Sequence, residues 1–508
     1  MSIAKVKSAA INGLNSIPIE VEVDISSGLP SFLIVGLPDK AVEEAKERVR
    51  SAIKNSGAFF PQKRIVVNLA PADFKKEGPS YDLPIAIGIL LASKQINLDP
   101  QKILFLGELS LNGHLRHTSG ILPMVMSAAQ NNFEEIFLPL INAPEASFIE
   151  NITIRPANSL KEIIWHFKNE KTIKPYPKKN IDDLFQEENN FIYDMAYIAG
   201  QEHAKRALEI AASGGHNILM VGPPGSGKTL LARTLPSILP KMTKEEALET
   251  TKIYSVAGIL PNNQSLITER PFRSPHHTSS DIALVGGGTW PKPGEISLAH
   301  RGVLFLDELA EFPRSVLEVL RQPLEDGLIT IARASGTITF PAKFILIAAS
   351  NPCPCGFLTD PEKECICSPG QILRYKKKIS GPLLDRIDIH IEVPRMHYEK
   401  LTENKVAEES KKIRSRVQQA RERQTQRFKE QKITCNAEMT ISQIKKYCAI
   451  DQKSHELLRS AVNQFHLSAR AFHRILKLAR TIADLDNQER IQTNHIAEAI
   501  QYRSKEDY

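Results

Sequence analysis

One octapeptide limits what this chain can fold into more than any other feature. Gly222-Pro223-Pro224-Gly225-Ser226-Gly227-Lys228-Thr229 fills every position of the pattern G-x-x-x-x-G-K-S/T. An apolar run, Ile218 to Val221, leads into it, and a helix-compatible run, Leu230 to Leu235, follows. Strand, glycine-rich turn and helix in that order call for a parallel α/β sheet with the turn at its carboxyl edge. The glycines let successive backbone N–H groups turn toward phosphate oxygens, Lys228 has the reach for a β- or γ-phosphate, and the Thr229 hydroxyl can ligate Mg²⁺. The segment predicts an ATP site.

Two further apolar runs suit the same sheet. Val303-Leu304-Phe305-Leu306 ends in Asp307-Glu308, the way a buried parallel strand delivers carboxylates to a carboxyl edge. Asp307 suits a Mg²⁺ held through water, and Glu308 suits polarisation of an attacking water. Phe344 to Ala348 ends at Ser350-Asn351, where an amide can orient that water.

At 508 residues the chain exceeds one ordinary core. Residues 1–168 alternate short β-like runs (Ile19 to Ile25, Phe32 to Val35, Ile65 to Leu69) with helical patterns such as Lys40 to Ser56, predicting an α/β domain. Residues 169–193 are rich in Lys, Pro, Asn and acids and read as a linker. The ATP-binding core then spans 194–394, and 395–508 reads as all-helical. The longest apolar run, Ile85 to Ala92, is far too short to cross a bilayer, and no basic-then-apolar leader opens the chain, so a cytoplasmic protein without membrane contact is expected. A net charge of +7 permits an anionic partner, but a solvated surface gives the same total.

The loop, the Leu304–Glu308 strand, Asn351 and a later Gly381-Pro382-Leu383-Leu384-Asp385-Arg386 together are similar to an AAA+ ATPase of the magnesium-chelatase-like branch. The runs Arg270-Pro271-Phe272-Arg273-Ser274-Pro275-His276-His277-Thr278, Gly286-Gly287-Gly288 and Pro293-Gly294-Glu295-Ile296-Ser297-Leu298-Ala299-His300 resemble the YifB/ComM family, over nearly the whole chain. The resemblance implies an AAA+ P-loop NTPase core with a helical C-terminal lid, preceded by an α/β Lon-protease-like domain. For ComM members it implies ATP-driven branch migration of DNA in natural transformation. Branched or single-stranded DNA and a recombination protein are the implied partners. By motif, Arg386 matches the arginine finger that reaches the γ-phosphate bound by a neighbouring subunit, and Arg470 in Leu467-Ser468-Ala469-Arg470-Ala471-Phe472 matches the lid arginine that senses nucleotide within its own chain. A finger acting in trans implies a cyclic homo-oligomer, by resemblance a hexamer. The competing reading is a chelatase-type or protein-remodelling ATPase acting on a protein client.

Residues 261–300 exceed what a simple crossover needs and read as an insertion. In this branch it resembles a loop directed at a ring pore, which makes Arg273, His276, His277 and Lys292 candidates to touch a polymer. Metal ligation by the two histidines is disfavoured, because neighbours on extended chain point to opposite faces.

Four of the six cysteines concentrate at 353–367, as Cys353-Pro354-Cys355 and Cys365-Ile366-Cys367. Two readings stay open, tetrahedral thiolate zinc and a reduced surface loop. Cys435 and Cys448 read as buried thiols.

Lys75-Lys76-Glu77-Gly78-Pro79-Ser80 resembles the segment carrying the nucleophilic serine of Lon-type proteases, but the matching general-base lysine falls at Leu122, so peptidase activity is not expected. Between Glu403 and Lys432 lie Lys411, Lys412, Arg414, Arg416, Arg421, Arg423, Arg427 and Lys429, a candidate nucleic-acid face or a solvated helix packed through Ile413, Val417, Ala420 and Phe428.

Overall fold

The computed structural model describes the chain apart from residues 1–2, 74–75, 77, 186–190, 262–263, 289–291, 334–335, 397–406, 432 and 504–508. Lys75 and Glu77 of the serine motif, the linker's last residues around Asn190, and Glu403 and Lys432 at the ends of the basic run lie outside the described residues. Two compact units emerge, Met1–Glu187 with Lys244–Thr268, and Glu188–Thr243 with Glu269–Tyr508.

The first unit is built on β1 (Ala4–Asn12), β2 (Asn15–Ser26), β3 (Ser31–Val35), β4 (Arg64–Ala70), β5 (Ile103–Phe105), a small hairpin of β6 (Glu108–Leu109) and β7 (Leu115–Arg116), then β8 (Glu135–Pro139) and β9 (Thr153–Ala157). Seven of these form one mixed sheet in the order β3-β4-β2-β1-β5-β8-β9. Period-two alternation divides its side chains between two cores. Val6, Phe105 and Phe137 join the helices Lys40–Asn55 and Asp82–Ala92 on one face, while Ala9, Leu104, Ile136 and Leu138 join the helix Ile121–Gln130 on the other.

The helix Lys244–Ala257 belongs to this unit because Ala247 packs with Leu122, Phe148 and Leu266 in a further apolar cluster. Residues 169–185 also run along it, with Tyr176 N–H donating to Ile154 O at 2.8 Å and Lys179 N–H to Ser147 O at 3.2 Å.

In the second unit, β10 (Ile218–Val221), β11 (Phe272–Arg273), β14 (Val303–Leu306), β17 (Ile345–Ser350) and β18 (Ile389–Glu392) form a sheet in the order β11-β14-β17-β10-β18, parallel throughout. Two antiparallel ribbons stand apart from it, β12 (Gly286–Gly287) with β13 (Lys292–Pro293), and β15 (Leu328–Arg333) with β16 (Gly336–Pro341). The C-terminal helices share the sheet's core: Ile218, Phe305, Ile347 and Ile389 fall in one cluster with Val417, Leu478, Ile482 and Tyr502. Among the described residues no helix is long and apolar enough to cross a membrane.

Candidate nucleotide site

The strand order puts β17 between β10 and β14, so the loops leaving all three meet at one sheet edge. Gly222 must be glycine, because a Cβ there would lie 2.1 Å from Val393 O. Gly225 (φ 78°) and Gly227 (φ 90°) hold left-handed backbone, and a Cβ on either would meet nothing within 4 Å. Both glycines thus border open space, and the helix Lys228–Ile238 starts directly behind the turn. Pro223, Pro224 and Ser226 complete the loop, with Pro224 exposed and Ser226 buried.

Lys228 curls back over that loop. Its ammonium donates to Gly222 O at 2.7 Å and Pro223 O at 2.8 Å and reaches Asn351 Oδ1 at 3.4 Å. Burial pushes the ammonium below the usual lysine range, while Asp307 and Glu308 pull it back. Thr229 Oγ1 donates to Asp307 Oδ2 at 2.7 Å, so the hydroxyl and carboxylate expected to share Mg²⁺ already touch. Asp307 Oδ1 accepts from Glu308 N–H at 3.0 Å. Glu308 turns away from the strand through a left-handed backbone (φ 52°) and is half exposed. An open glycine cradle, a lysine and a paired hydroxyl and carboxylate fit a magnesium nucleotide.

Glu308 has a partner the sequence did not foresee: His277 Nδ1 lies 3.4 Å from its Oε2, and the His277 ring sits edge-on to Phe312. The expectation that His276 and His277 diverge is corrected, since their rings lie 4.1 Å apart. The chain is not extended there; a turn closed by Ser279 N–H on His276 O folds it. His276 Nδ1 contacts Thr278 Oγ1 at 2.9 Å. Arg273 forks onto Glu295 with two 2.7 Å bonds, and Lys292 is exposed on β13.

Arg386 and Arg470 converge on Glu325 in the helix Arg321–Asp326. Arg386 also donates to Pro382 O at 2.7 Å. No signal in the charged run around Glu325 could have identified it, because the convergence joins three distant segments.

The basic helix Ser410–Arg427 buries Ile413, Val417 and Ala420. Arg416 pairs with Glu209 and Glu408, Arg421 donates to Ala212 O and Ser213 O, Arg427 pairs with Asp484, and Arg414 donates to Leu239 O. Four of its cations thus hold the helix to its own unit.

In the first unit Ser80 lies in a short helical turn, and Lys76 is buried with its ammonium on Pro71 O. Leu122 is fully buried in the cluster that seats Ala247. The four clustered cysteines converge, each sulfur within 4.8 Å of the others, while Cys435 and Cys448 are buried thiols.

Residues 194–401 match the family described as magnesium chelatase, subunit ChlI; residues 21–142 match subunit ChlI of Mg-chelatase, and 407–503 its C-terminal region. The chain is 46% identical to the competence protein ComM of Haemophilus influenzae, over 99% of this chain and 98% of that protein. It is 43% identical to YifB of Escherichia coli, over 99% and 97% of the two chains. Similarity to the magnesium-chelatase 38 kDa subunit of Rhodobacter capsulatus is 26% over 32% of this chain and 51% of that one.

Proposed function

The chain belongs to the YifB/ComM family of magnesium-chelatase-like AAA+ ATPases, and on that premise we propose that it is a ring-forming motor whose ATP hydrolysis drives branch migration of DNA during recombination in natural transformation. The observation that carries the ATPase half is the meeting of Lys228, Thr229, Asp307, Glu308 and Asn351 at one sheet edge. Full-length likeness to a competence protein supports the DNA half.

Bound magnesium–ATP supplies the phosphoryl group that is transferred to water. The loop N–H groups and Lys228 hold the phosphate chain, and Thr229 and Asp307 hold the metal. Asn351 orients a water that Glu308 polarises, taking its proton. Arg386 acts on the neighbouring subunit's nucleotide, so hydrolysis needs a ring, which we read as a homo-hexamer. Arg470 reports nucleotide within its own chain. We read the first unit as a Lon-protease-like fold kept for binding or ring assembly, because Leu122 has no base to offer.

A second reading draws on the chelatase family matches across the chain: a remodelling ATPase with a protein client. Steady-state ATP hydrolysis separates the two. Wild type and Glu308→Gln are compared without addition, and with single-stranded DNA, a four-way junction or unfolded protein. Stimulation by DNA that is lost in the variant supports the motor; stimulation by unfolded protein alone overturns it.

A further inference from the structure

The cysteine cluster belongs to no step of hydrolysis, yet it adjoins the site. Cys353 and Cys355 lie 3.4 Å apart sulfur to sulfur, Cys353 and Cys365 3.7 Å, and Cys355 and Cys365 3.6 Å. Cys367 completes the set within 4.8 Å. All four are free thiols, and a disulfide would need sulfurs at about 2.05 Å. A tetrahedral ion with Zn–S bonds of about 2.3 Å puts its sulfurs about 3.8 Å apart, close to the spacing here. Apolar burial does not explain the gathering, since Cys355, Cys365 and Cys367 are only half buried and Ile366 between two of them is 88% exposed. So small a nest of thiols suits one ion and not an iron–sulfur cluster.

We propose that Cys353, Cys355, Cys365 and Cys367 bind one structural zinc ion, and that this zinc loop braces the phosphate loop from behind. Cys353 is fully buried two residues beyond Asn351. The chain then turns back, with Gly356 N–H donating to Cys353 O at 3.0 Å. Gly356 (φ 84°) lies so close to the phosphate loop that a Cβ would stand 2.6 Å from Pro224 Cδ. A side chain at 356 would push on Pro224, and displacement of the loop would remove that support.

The segment between the two cysteine pairs has its own order. Asp360 Oδ1 accepts from the N–H groups of Glu362 and Lys363 at 2.9 and 3.1 Å, the Lys363 ammonium lies over the Phe357 ring, and Arg395 pairs with Asp360 at 3.6 Å and Glu362 at 3.4 Å. Ion, loop and Pro224 form a continuous support for the nucleotide site. The bracing rests on the ATP-site reading; the metal content does not.

The test uses the full chain. Plasma mass spectrometry of wild type is expected to find one zinc per chain. The double variant Cys365→Ser/Cys367→Ser, at the exposed end of the site, is expected to lose the zinc, keep its circular dichroism and bind a fluorescent ATP analogue more weakly. A thiol-reactive mercurial added to native wild type, with a chromogenic chelator, should consume four thiols per zinc released, and this readout stands even if the variant does not fold. No zinc, iron in its place, fewer than four thiols per zinc, or a variant that keeps its metal overturns the site. Zinc lost with unchanged analogue affinity overturns the bracing.

Discussion

Arg386 is ion-paired with Glu325 of its own chain, and the same carboxylate takes Arg470 on its other oxygen at 3.2 Å. The hydrogen bond from Arg386 holds Glu325 below the usual carboxylate range against the opposing effect of burial. An arginine held this way is not available to a phosphate on another subunit. In the proposed ring, assembly would exchange this intramolecular partner for an intermolecular one. Glu325 is half exposed, so the pair is worth no more than about 1 kcal/mol. Glu325→Gln is expected to lower the protein concentration giving half-maximal ATPase by roughly fivefold, which corresponds to that energy. ATPase rate against protein concentration reads the effect directly, and an unmoved midpoint rejects the latch.

Action in trans makes a sharper demand. Arg386→Ala should lose on the order of 10³-fold in ATPase rate, and Glu308→Gln should be comparably inactive. Mixed rings should recover activity, because a site with an intact Glu308 can receive Arg386 from the adjoining variant subunit. Equal mixtures that stay inactive would show that Arg386 acts within its own chain.

His277 stands 3.4 Å from the carboxylate that we assign to the attacking water. A carboxylate engaged by imidazole is a weaker acceptor for a water proton. His277→Ala should raise the unstimulated ATPase rate several-fold while reducing the ratio of DNA-stimulated to basal rate, a small part of the roughly 10²–10⁴-fold that general-base catalysis contributes. A fall in both rates, with the ratio kept, would mean that His277 supports Glu308 instead.

Legibility from sequence followed the reach of each signal. β10 matches the run Ile218 to Val221, and β14 and β17 match two other apolar runs, because a strand buried on both faces reads as an unbroken apolar stretch. The adjacency of Thr229 and Asp307 then follows from parallel topology. By contrast, Lys244–Thr268 read as part of the ATP-binding core, yet Ala247 packs on Leu122 and Phe148, partners far earlier in the chain that no local periodicity can name. Leu122 itself was visible only as a lysine that is not there, whereas in the fold it anchors a helix. The basic helix was half legible: its apolar stripe announced packing, but the pairing of Arg416 with Glu209 depends on a different segment. The hairpin of β15 and β16 was not expected, although Ser335-Gly336 is a turn-type pair between two β-branched runs, and the meeting of Arg386, Arg470 and Glu325 exists only in three dimensions.

The first unit carries a buried carboxyl that should make its stability depend on pH near neutrality. Glu145 accepts from Asn142 Nδ2 at 2.5 Å and from Ser255 Oγ at 2.8 Å, and burial pushes its carboxyl up to about 7. The folded state therefore holds this proton more tightly than the unfolded chain, in which the group titrates near its ordinary value of 4.5. Its contribution is fully present below about pH 4.5, declines as pH rises through the interval to about 7, and is gone above it. A shift of this size corresponds to about 3 kcal/mol at most. Glu145→Gln keeps a carbonyl acceptor for Asn142 and an N–H that can donate to the Ser255 hydroxyl, without the charge, so it should flatten this part of the profile and raise the melting temperature of the first unit's transition at pH 8 relative to wild type. Thermal unfolding followed between about pH 5 and 8 checks both points. A wild-type profile that does not fall across that interval, or a variant with the same slope as wild type, would show that Glu145 is not the group responsible.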